Sequence, residues 1–250
     1  MIVHKLVKRG SNHKDFCEDF YLTQQLDEKN FICAVFDGCS SGTDSHFASA
    51  LFAKLFKASA VEIYGLDRSN FSFDDLFKEI LYRFVCKLSD VKQKLMLTSD
   101  EVLSTLIFML FNTETNQARI IAVGDGFINI NGKRIQIDQN NRPEYIAYKL
   151  DLLTKKDYFD FWLGNFQQMF DAHKIHDISI ATDGIFSFQK NLTVDSKEDE
   201  INEAEIIRYF TEDEFLIDNS SMLSRKYNLV KSKNGFENFD DVCIIRIINK

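Results

Sequence analysis

The sequence has 250 residues, of which 45% are hydrophobic, and a net charge of −8 at pH 7. This length and apolar content suffice for one large domain with a full core, and the acidic balance argues against nucleic acid or anionic membranes as main partners. Five cysteines without a CxxC pair are typical of free thiols in a reducing cytoplasm. The charged first ten residues do not resemble a signal peptide, and no apolar run reaches membrane-spanning length. A cytoplasmic protein is therefore expected.

The N-terminal region predicts three strands. Ile2–Val7 and Phe20–Gln24 flank the polar loop Lys8–Asp19. The stretch Phe31–Gly42, FICAVFDGCSSG, begins as an apolar run and ends in Asp-Gly and a turn rich in Ser and Gly. An apolar run bounded by turn formers is typical of a buried strand. A carboxylate at the end of such a strand is held in place by rigid backbone.

Two amphipathic helices are predicted next, and the second begins with the capping-box spacing of Ser72 and Asp75. Their apolar stripes, which step by three and four residues, are Phe47, Leu51, Leu55 and Ala58 in the first helix and Phe77, Ile80, Phe84, Leu88, Val91 and Leu95 in the second. Each helix therefore has one face that can lie on a sheet.

The rest of the chain predicts a block of strands, then further helices and a last strand. The predicted strands are Ser104–Phe111, Gln117–Val123, Phe127–Ile130, Lys133–Ile137 and Val242–Ile248, and the helices are Glu203–Phe210 and Ser220–Lys231. Asn131-Gly132 is a strong hairpin signal. The segment Glu144–Ile175 is rich in aromatic residues without a clear period, and the acidic run in Asn191–Glu205 predicts a solvated loop. Grouped rather than alternating elements favour the α+β class, with largely antiparallel sheets covered by helices in one domain.

Three apolar runs end in the same dipeptide, at Asp37-Gly38, Asp125-Gly126 and Asp183-Gly184. Each pair alone is typical of a turn. Several buried strands that each bring a carboxylate to one edge favour instead a metal site rich in acidic residues.

Acidic residues of the neighbouring loops complete this candidate site. Its members are Glu18, Asp19, Asp37, Asp183 and Asp240, with Asp100 and Asp125 as outer members. Carboxylates from distant segments can enclose two hard divalent cations such as Mg²⁺ or Mn²⁺. Two bridged cations activate a water molecule and stabilise charge on a phosphoryl oxygen without any organic cofactor.

The motifs CED, FDGCSSG, STLIF, VGDG, ATDGI and FDDVCII follow one another along the chain. In this order and spacing the sequence resembles the metal-dependent Ser/Thr protein phosphatases of type 2C, the PPM family, over residues 10–247. The opening GSNHKDFCEDF is similar to that of a bacterial subgroup. The resemblance implies an α/β/β/α four-layer sandwich of two mainly antiparallel sheets, with the metals at one end between them.

The resemblance also implies roles for single residues. The implied metal-binding residues are Glu18, Asp19, Asp37, Gly38, Asp183 and Asp240. Among them Asp37 bridges two Mn²⁺ or Mg²⁺ ions, Gly38 binds through its carbonyl, and Glu18 and Asp19 orient metal-bound waters or ligate through them. Asp100 stands where some members place a ligand of a third ion, and a structural turn is the alternative.

Three positions depart from the family pattern. Lys14 stands where most members have an arginine that holds the substrate phosphate, and a lysine lacks the bidentate guanidinium. Arg9 or His13 could share this task. Cys39 stands where some members have a histidine that acts as general acid, and Asp241 stands where many have asparagine.

The expected activity is hydrolysis of phosphoserine and phosphothreonine in proteins, by direct attack of a hydroxide that bridges the two ions. Asp37 and Lys14 are the expected catalytic residues, and a monomer is expected. A catalytically silent binding or regulatory module is the alternative from another class, and a hydrolase of small phosphate esters would share the same site.

The segment Asp138–His176 matches the position of a variable insertion, the flap, that lies beside the metals in the family. It carries the rings of Tyr145, Tyr148, Tyr158, Phe161 and Trp162. Long loops inside compact domains are usually functional, and aromatic residues favour binding surfaces. The alternative is that these rings only cover the sheet.

Overall fold

The computed structural model describes residues 1–65, 71–139, 143–191 and 202–249. Within them the strands are β1 (Ile2–Lys8), β2 (Asp19–Gln25), β3 (Asn30–Asp37), β4 (Leu106–Asn112), β5 (Gln117–Val123), β6 (Gly126–Ile130), β7 (Lys133–Ile137), β8 (Met169–His173), β9 (Asp177–Ala181), β10 (Phe188–Lys190), β11 (Phe236–Asn238) and β12 (Val242–Ile248). The α-helices are α1 (Ser45–Tyr64), α2 (Phe73–Lys94), α3 (Leu150–Leu153), α4 (Lys156–Asn165), α5 (Glu203–Thr211) and α6 (Met222–Ser232). Single 3₁₀ turns lie at Asp100–Val102, Ile146–Lys149 and Asp183–Phe186.

Two antiparallel five-stranded sheets form the middle of the molecule. Sheet I has the strand order β1-β12-β9-β6-β7, and sheet II has the order β2-β3-β4-β5-β8. β10 and β11 form a separate two-stranded pair. The first and last strands are neighbours, since Ile2 pairs with Ile248 and Lys8 pairs with Val242.

Strand β3 is buried on both faces, and successive side chains along it point to opposite faces. Cys33 and Val35 point into the core between the sheets, where they meet Ile180 of β9 and Ile245 of β12. Phe36, on the opposite face, belongs to the core under the helices. A strand covered on both faces reads as a continuous apolar run, which is what the sequence of β3 shows.

Helices cover both outer faces of the sheets. On sheet II, Phe56 of α1 stacks on Phe84 of α2 with ring centroids 4.0 Å apart, and the Phe56 ring also lies 5.0 Å from that of Phe108 in β4. On sheet I, Phe210 of α5 and Tyr227 of α6 pack on the core that includes strand β12. The predicted α/β/β/α sandwich is therefore confirmed. No helix within the described ranges is both long and apolar enough to cross a bilayer.

The predicted apolar stripe of α1 is confirmed at Leu55, which is buried, and in part at Leu51, which packs against the same core, but it is wrong at Ala58. The helix buries Phe52, Phe56, Ala60 and Ile63 completely or almost so, whereas Ala58 is exposed. α1 carries apolar residues on more than one face, so periodicity alone could not select the face that meets α2 and sheet II. The capping box of α2 is confirmed, because the Ser72 hydroxyl accepts from the Asp75 N–H while Asp75 accepts from the Ser72 N–H.

The region Glu144–Ile175, for which the sequence showed no period, contains α3, α4 and β8. Some of its aromatic rings are buried, as expected if they cover the sheet, and others are exposed, as expected of a binding surface. Tyr145 and Trp162 are buried in the core that α2 shares, whereas Tyr148 and Phe161 are 62% and 67% exposed. Most of the acidic run predicted as a solvated loop lies at 192–201, outside the described residues.

Candidate metal centre

Carboxylates from both sheets meet at one end of the sandwich. In sheet II, Asp19 at the start of β2 pairs directly with Asp37 at the end of β3. In sheet I, Asp183 follows β9 and Asp240 precedes β12, and these strands pair antiparallel, so the end of one lies beside the start of the other. The strand-end positions predicted from sequence therefore converge.

Two of the Asp-Gly glycines are required by close backbone approach. A Cβ on Gly38 would lie 2.0 Å from the Ser45 carbonyl oxygen, and a Cβ on Gly184 would lie 1.7 Å from that of Asp241. Any other residue would force these segments apart. The glycines thus hold the Asp37 loop against α1 and the Asp183 turn against β12.

Asp19 is a buried carboxylate with one unpaired oxygen. Its side chain is 2% exposed, and its Oδ2 accepts a hydrogen bond of 2.6 Å from the Thr182 hydroxyl. Its Oδ1 has no hydrogen-bond partner among the described residues. A buried charged oxygen without a partner is costly, and a cation or a cation-bound water would satisfy it.

Burial and mutual repulsion disfavour the charged forms of these carboxylates. Burial raises the pKa of Asp37 well above its usual range, and neighbouring aspartates add to this effect, in order Asp19, Asp183 and Asp240. Burial also raises the pKa of Asp19. For Asp183, burial and then the charges of Asp240 and Asp125 raise the pKa to about 6. Oxygen ligands with excess negative charge suit Mg²⁺ or Mn²⁺, so the donor set fits the ions that the resemblance implies.

The predicted ligand side chains are nevertheless spread out. Within the described ranges no three His, Cys, Asp or Glu side chains already have the close spacing of a ligand set. Mg²⁺ keeps several water ligands and is commonly held by one or two carboxylates. The open spacing is consistent with ions that contact several of these aspartates through water.

Asp241 is the structural centre that the sequence did not identify. Its buried carboxylate accepts hydrogen bonds from the N–H groups of Gly10, at 2.6 Å, and Glu18. The Nδ1 of His13 lies 2.8 Å from its Oδ2. Asp241 therefore ties the N-terminal loop to β12 and fixes the backbone of Glu18. Its place next to Asp240 was the only sequence signal for Asp241. Its partners lie more than 200 residues away in the chain, so the sequence did not reveal them.

His13 faces the acidic residues and not open solvent. Its Nε2 lies 3.8 Å from a Glu18 carboxylate oxygen and 3.7 Å from one of Asp240. Burial alone would lower the pKa of His13, but the hydrogen bond and charge of Asp241, with the charges of the other two, outweigh it and raise the pKa. A role for His13 in phosphate binding would require it to leave these partners.

The two remaining candidates for phosphate binding differ in their contacts. The Arg9 guanidinium donates to the backbone carbonyl of Lys14 at 2.6 Å, so it supports the loop from within. The side chain of Lys14 is exposed, and its ammonium takes part in no hydrogen bond or ion pair with the part of the chain that the structure describes. Lys14 is thus the residue of the three that is open to a ligand.

The other predicted site residues lie around this cluster. Glu18 accepts a hydrogen bond of 2.7 Å from the Ser40 hydroxyl, which connects it to the loop after Asp37. Asp125 accepts from the Gln139 N–H at 2.6 Å, a structural bond. The side chain of Asp100 is exposed, while its carbonyl accepts from the Thr43 N–H at 3.3 Å. The position of Asp100 beside the loop is thus compatible with either a turn or an outer ligand.

Cys39 follows the Asp37-Gly38 pair, and its Sγ lies 3.1 Å from the Ser41 hydroxyl. Burial alone would raise the pKa of Cys39, but hydrogen bonds from the side chains of Ser41 and Tyr145 and from backbone N–H groups outweigh it and lower the pKa. The contact with Tyr145 joins the loop of the candidate site to the segment before α3.

Without metal, we expect Asp183→Asn to stabilise the protein at neutral pH. The folded pKa of Asp183, about 6, lies above the ordinary unfolded value of about 3.9. Its stabilising protonated form is therefore fully present only below about pH 4 and is lost as the pH rises through 6. Urea unfolding in chelator should show a gain of about 1–3 kcal/mol at pH 7.5 that shrinks towards pH 4. A gain independent of pH, or one matched by the exposed Asp90→Asn, would contradict this origin.

Solved structures with similar folds include two bacterial phosphatases and RsbX. The phosphatase domain of SpoIIE from Bacillus subtilis, with a fragment of its regulatory domain, is 16% identical with a TM-score of 0.56, over 98% of this chain and 62% of that one. RsbX, solved with magnesium, is 17% identical with a TM-score of 0.50, over 98% and 92%. Stp1 from Staphylococcus aureus, a serine/threonine phosphatase, is 12% identical with a TM-score of 0.60, over 100% and 96%.

At these identities the likeness shows the fold alone. The chain spans less than two thirds of the SpoIIE fragment. A search of curated protein sequences found no match. The sequence model of the family described as protein phosphatase 2C matches residues 9–214, which include Glu18, Asp37 and Asp183 but not Asp240. This match covers most of the chain, and the two-sheet sandwich with its cluster of carboxylates agrees with it. The chain therefore belongs to the protein phosphatase 2C family.

Proposed function

We propose that this protein is a metal-dependent phosphatase of phosphoserine and phosphothreonine in proteins. The observation that carries the proposal is the convergence of Asp19, Asp37 and Asp183 from two sheets, with raised pKa values and an unpaired buried oxygen on Asp19. Such a set is unfavourable by itself and becomes favourable when divalent cations balance its charge. The relative RsbX was solved with magnesium, which supports the same ion class here.

Two Mn²⁺ or Mg²⁺ ions, when bound, would activate a water molecule and offset charge on the phosphoryl group. Asp37 would hold both ions, with Asp183 and Asp240 at one of them and the Gly38 carbonyl at the other. Glu18 and Asp19 would orient their waters. Asp100 would be a ligand of a third ion, and a metal titration that counts the bound ions tests this.

The chain's own residues would position the substrate around these ions. Lys14 would bind the phosphate, because its ammonium is exposed while Arg9 and His13 have other partners. The Gly10 and Glu18 backbone bonds to Asp241 would keep the Lys14 loop against the site. All five cysteines are free thiols, which fits the cytoplasmic location that we propose. We also propose that the protein acts as a monomer.

The proposal is tested by phosphate release from a phosphoserine peptide and from p-nitrophenyl phosphate, with Mn²⁺ and with excess chelator. We expect turnover of both substrates that requires the metal. Metal-independent turnover would contradict the mechanism. Absence of turnover in Mn²⁺ and in Mg²⁺ would favour the silent regulatory module, for which the departures at Lys14 and Cys39 are the supporting observations. Hydrolysis of p-nitrophenyl phosphate without hydrolysis of any phosphopeptide would favour a small phosphate ester as substrate.

Lys14→Ala should raise KM by about 10-fold or more, because a hydrogen bond to a charged group contributes about 1.5–3 kcal/mol, with a smaller effect on kcat. Lys14→Arg should recover binding, since a guanidinium can hold phosphate in a bidentate manner. Initial rates over a range of peptide concentrations measure both constants, and the exposed Lys57→Ala is the control. Unchanged kinetics for Lys14→Ala would transfer the role to Arg9 or His13, and the double variants would show which.

A further inference from the structure

A cavity of about 350 Å³ lies within the segment Asp138–His176. Its walls come from Gln139, Glu144 and Lys149, from α4, and from the residues just before β8. Phe161 stands at its edge with 67% of its surface exposed, whereas Trp162 is 8% exposed. Nothing in the activity proposed above uses this cavity.

Two contacts place the cavity beside the candidate metal centre. Tyr145, whose neighbour Glu144 is part of the wall, hydrogen-bonds with Cys39, which stands two residues after Asp37. On the other side, Gln139 of the wall donates its N–H to Asp125. The cavity and the carboxylate cluster therefore border the same surface.

Sheet geometry gives the distance between them. β8 and β3 are three strand spacings apart in sheet II, which is about 14 Å at about 4.8 Å for each spacing. Gln168, immediately before β8, lies at the same end of the sheet as Asp37, because its carbonyl accepts from the Ala122 N–H near the end of β5. An extended peptide covers this distance in roughly four residues.

The chemistry of the walls selects an uncharged ring. The charged side chains of Glu144 and Lys149 pair with each other, and the Gln139 and Gln168 amides also hydrogen-bond together, at 3.1 Å. The remaining wall is largely aromatic, with the rings of Trp162 and Phe166 4.9 Å apart. Aromatic walls of this kind favour aromatic guests by burial and edge or offset stacking.

Trp162 adds one polar preference. Its indole nitrogen is buried and has no hydrogen-bond partner among the described residues. Tryptophan N–H groups usually find an acceptor when buried. A guest with an oxygen on its ring could supply one after a small shift of the side chain, which favours tyrosine over phenylalanine.

We propose that this cavity binds an aromatic side chain of the phosphoprotein substrate, three to five residues along the chain from the phosphorylated residue. The proposal rests on the phosphatase function proposed above and adds a sequence preference to it. The metal centre and Lys14 recognise the phosphate, and the cavity recognises one neighbouring side chain.

The test uses phosphoserine peptides with a single Tyr, Phe or Ala at each position from −6 to +6 in an otherwise constant sequence. With the full chain in Mn²⁺, we expect kcat/KM to be about 10-fold higher for Tyr than for Ala, with Phe between them, at one or two positions three to five residues away. Equal values at every position, with normal hydrolysis of p-nitrophenyl phosphate, would overturn the cavity proposal and leave the phosphatase function intact.

The variant Phe161→Ala should bring the ratio between the Tyr and Ala peptides close to one. Phe161 is exposed, so its replacement should not unfold the chain. The matched control is Phe215→Ala, a ring 52% exposed in the connection between α5 and α6, which should keep the wild-type ratio. Loss of the preference in both variants, or in neither, would overturn the assignment.

Binding gives a second measurement that does not require turnover. Trp162 is the only tryptophan of the chain, so its fluorescence reports occupancy of the cavity directly. Titration in chelator with the Tyr and Ala peptides should change the emission for the Tyr peptide only. If p-nitrophenyl phosphate is not hydrolysed, the phosphatase function fails, and this titration still decides whether the cavity takes an aromatic ring.

Discussion

Replacing Asp37 by Asn should abolish Mn²⁺-dependent phosphate release, with kcat lowered by at least about 10³-fold, because metal-ion stabilisation of the phosphoryl group is worth several kcal/mol. Asn has the same shape but neither the charge nor the second anionic oxygen needed to hold two ions. Initial rates on p-nitrophenyl phosphate, with Mn²⁺ varied up to millimolar concentrations, measure the loss and show whether excess metal recovers any activity.

The same variant should be more stable than the wild type when no metal is bound, although it is inactive. Burial and neighbouring charges disfavour ionised Asp37, so the neutral amide should raise the melting temperature in chelator while it removes the stabilisation that Mn²⁺ gives to the wild type. Asp90→Asn, an exposed charge change on α2, is the control for both measurements. Wild-type turnover by Asp37→Asn would refute the assignment of the metal centre, whereas loss of activity with a lowered melting temperature would indicate a structural role.

Asp241→Ala should be the most destabilising of the substitutions at this end of the molecule. It removes the acceptor of the Gly10 and Glu18 N–H groups and the partner of His13. An unsatisfied buried donor costs about 1–3 kcal/mol, so the two together predict a loss of about 3 kcal/mol or more in the free energy of unfolding. Urea unfolding in chelator measures this loss without any contribution from bound metal.

Asp241→Asn separates the geometry of this contact from its charge. Its single carbonyl oxygen can accept from one N–H, while its amide NH₂ faces the other, so we expect an intermediate loss of stability. We also expect reduced activity, because the loop that carries Lys14 and Glu18 would lose one attachment. If Asp241→Ala unfolds at the wild-type urea concentration, the contacts to Gly10 and Glu18 do not stabilise the loop as described.

The parts of the fold that local sequence determines were predictable. β12 coincides with its predicted range. Asn131 and Gly132 have φ values of 51° and 85°, as the hairpin turn between β6 and β7 requires. The positions of Asp37 at the end of β3 and of Asp183 just after β9 also follow from local pattern, since apolar runs stop there. The prediction that these aspartates meet in one site rested on the whole ordered set of motifs, because a single Asp-Gly pair indicates only a turn.

The parts that depend on distant contacts were not predictable. The face of α1 that is buried depends on α2 and sheet II, and its sequence is apolar on several sides. The role of Asp241 depends on N–H groups of the N-terminal loop. The contacts that occupy Arg9 and His13 also form only in the folded structure. The sequence therefore left three candidates for phosphate binding, whereas the structure leaves Lys14 open.

The pairing of β1 with β12 has a consequence for the order of folding. The hydrogen bond from Glu18 to Asp241 joins residues 223 positions apart, and Asp240 enters the site only with β12. Contacts of such separation form late and slowly. Even if the local pair β2–β3 formed first and brought Asp19 beside Asp37, the complete site could not assemble until β12 had inserted between β1 and β9. Catalytic competence would thus appear only after the last strand has docked, which keeps partly made chains inactive.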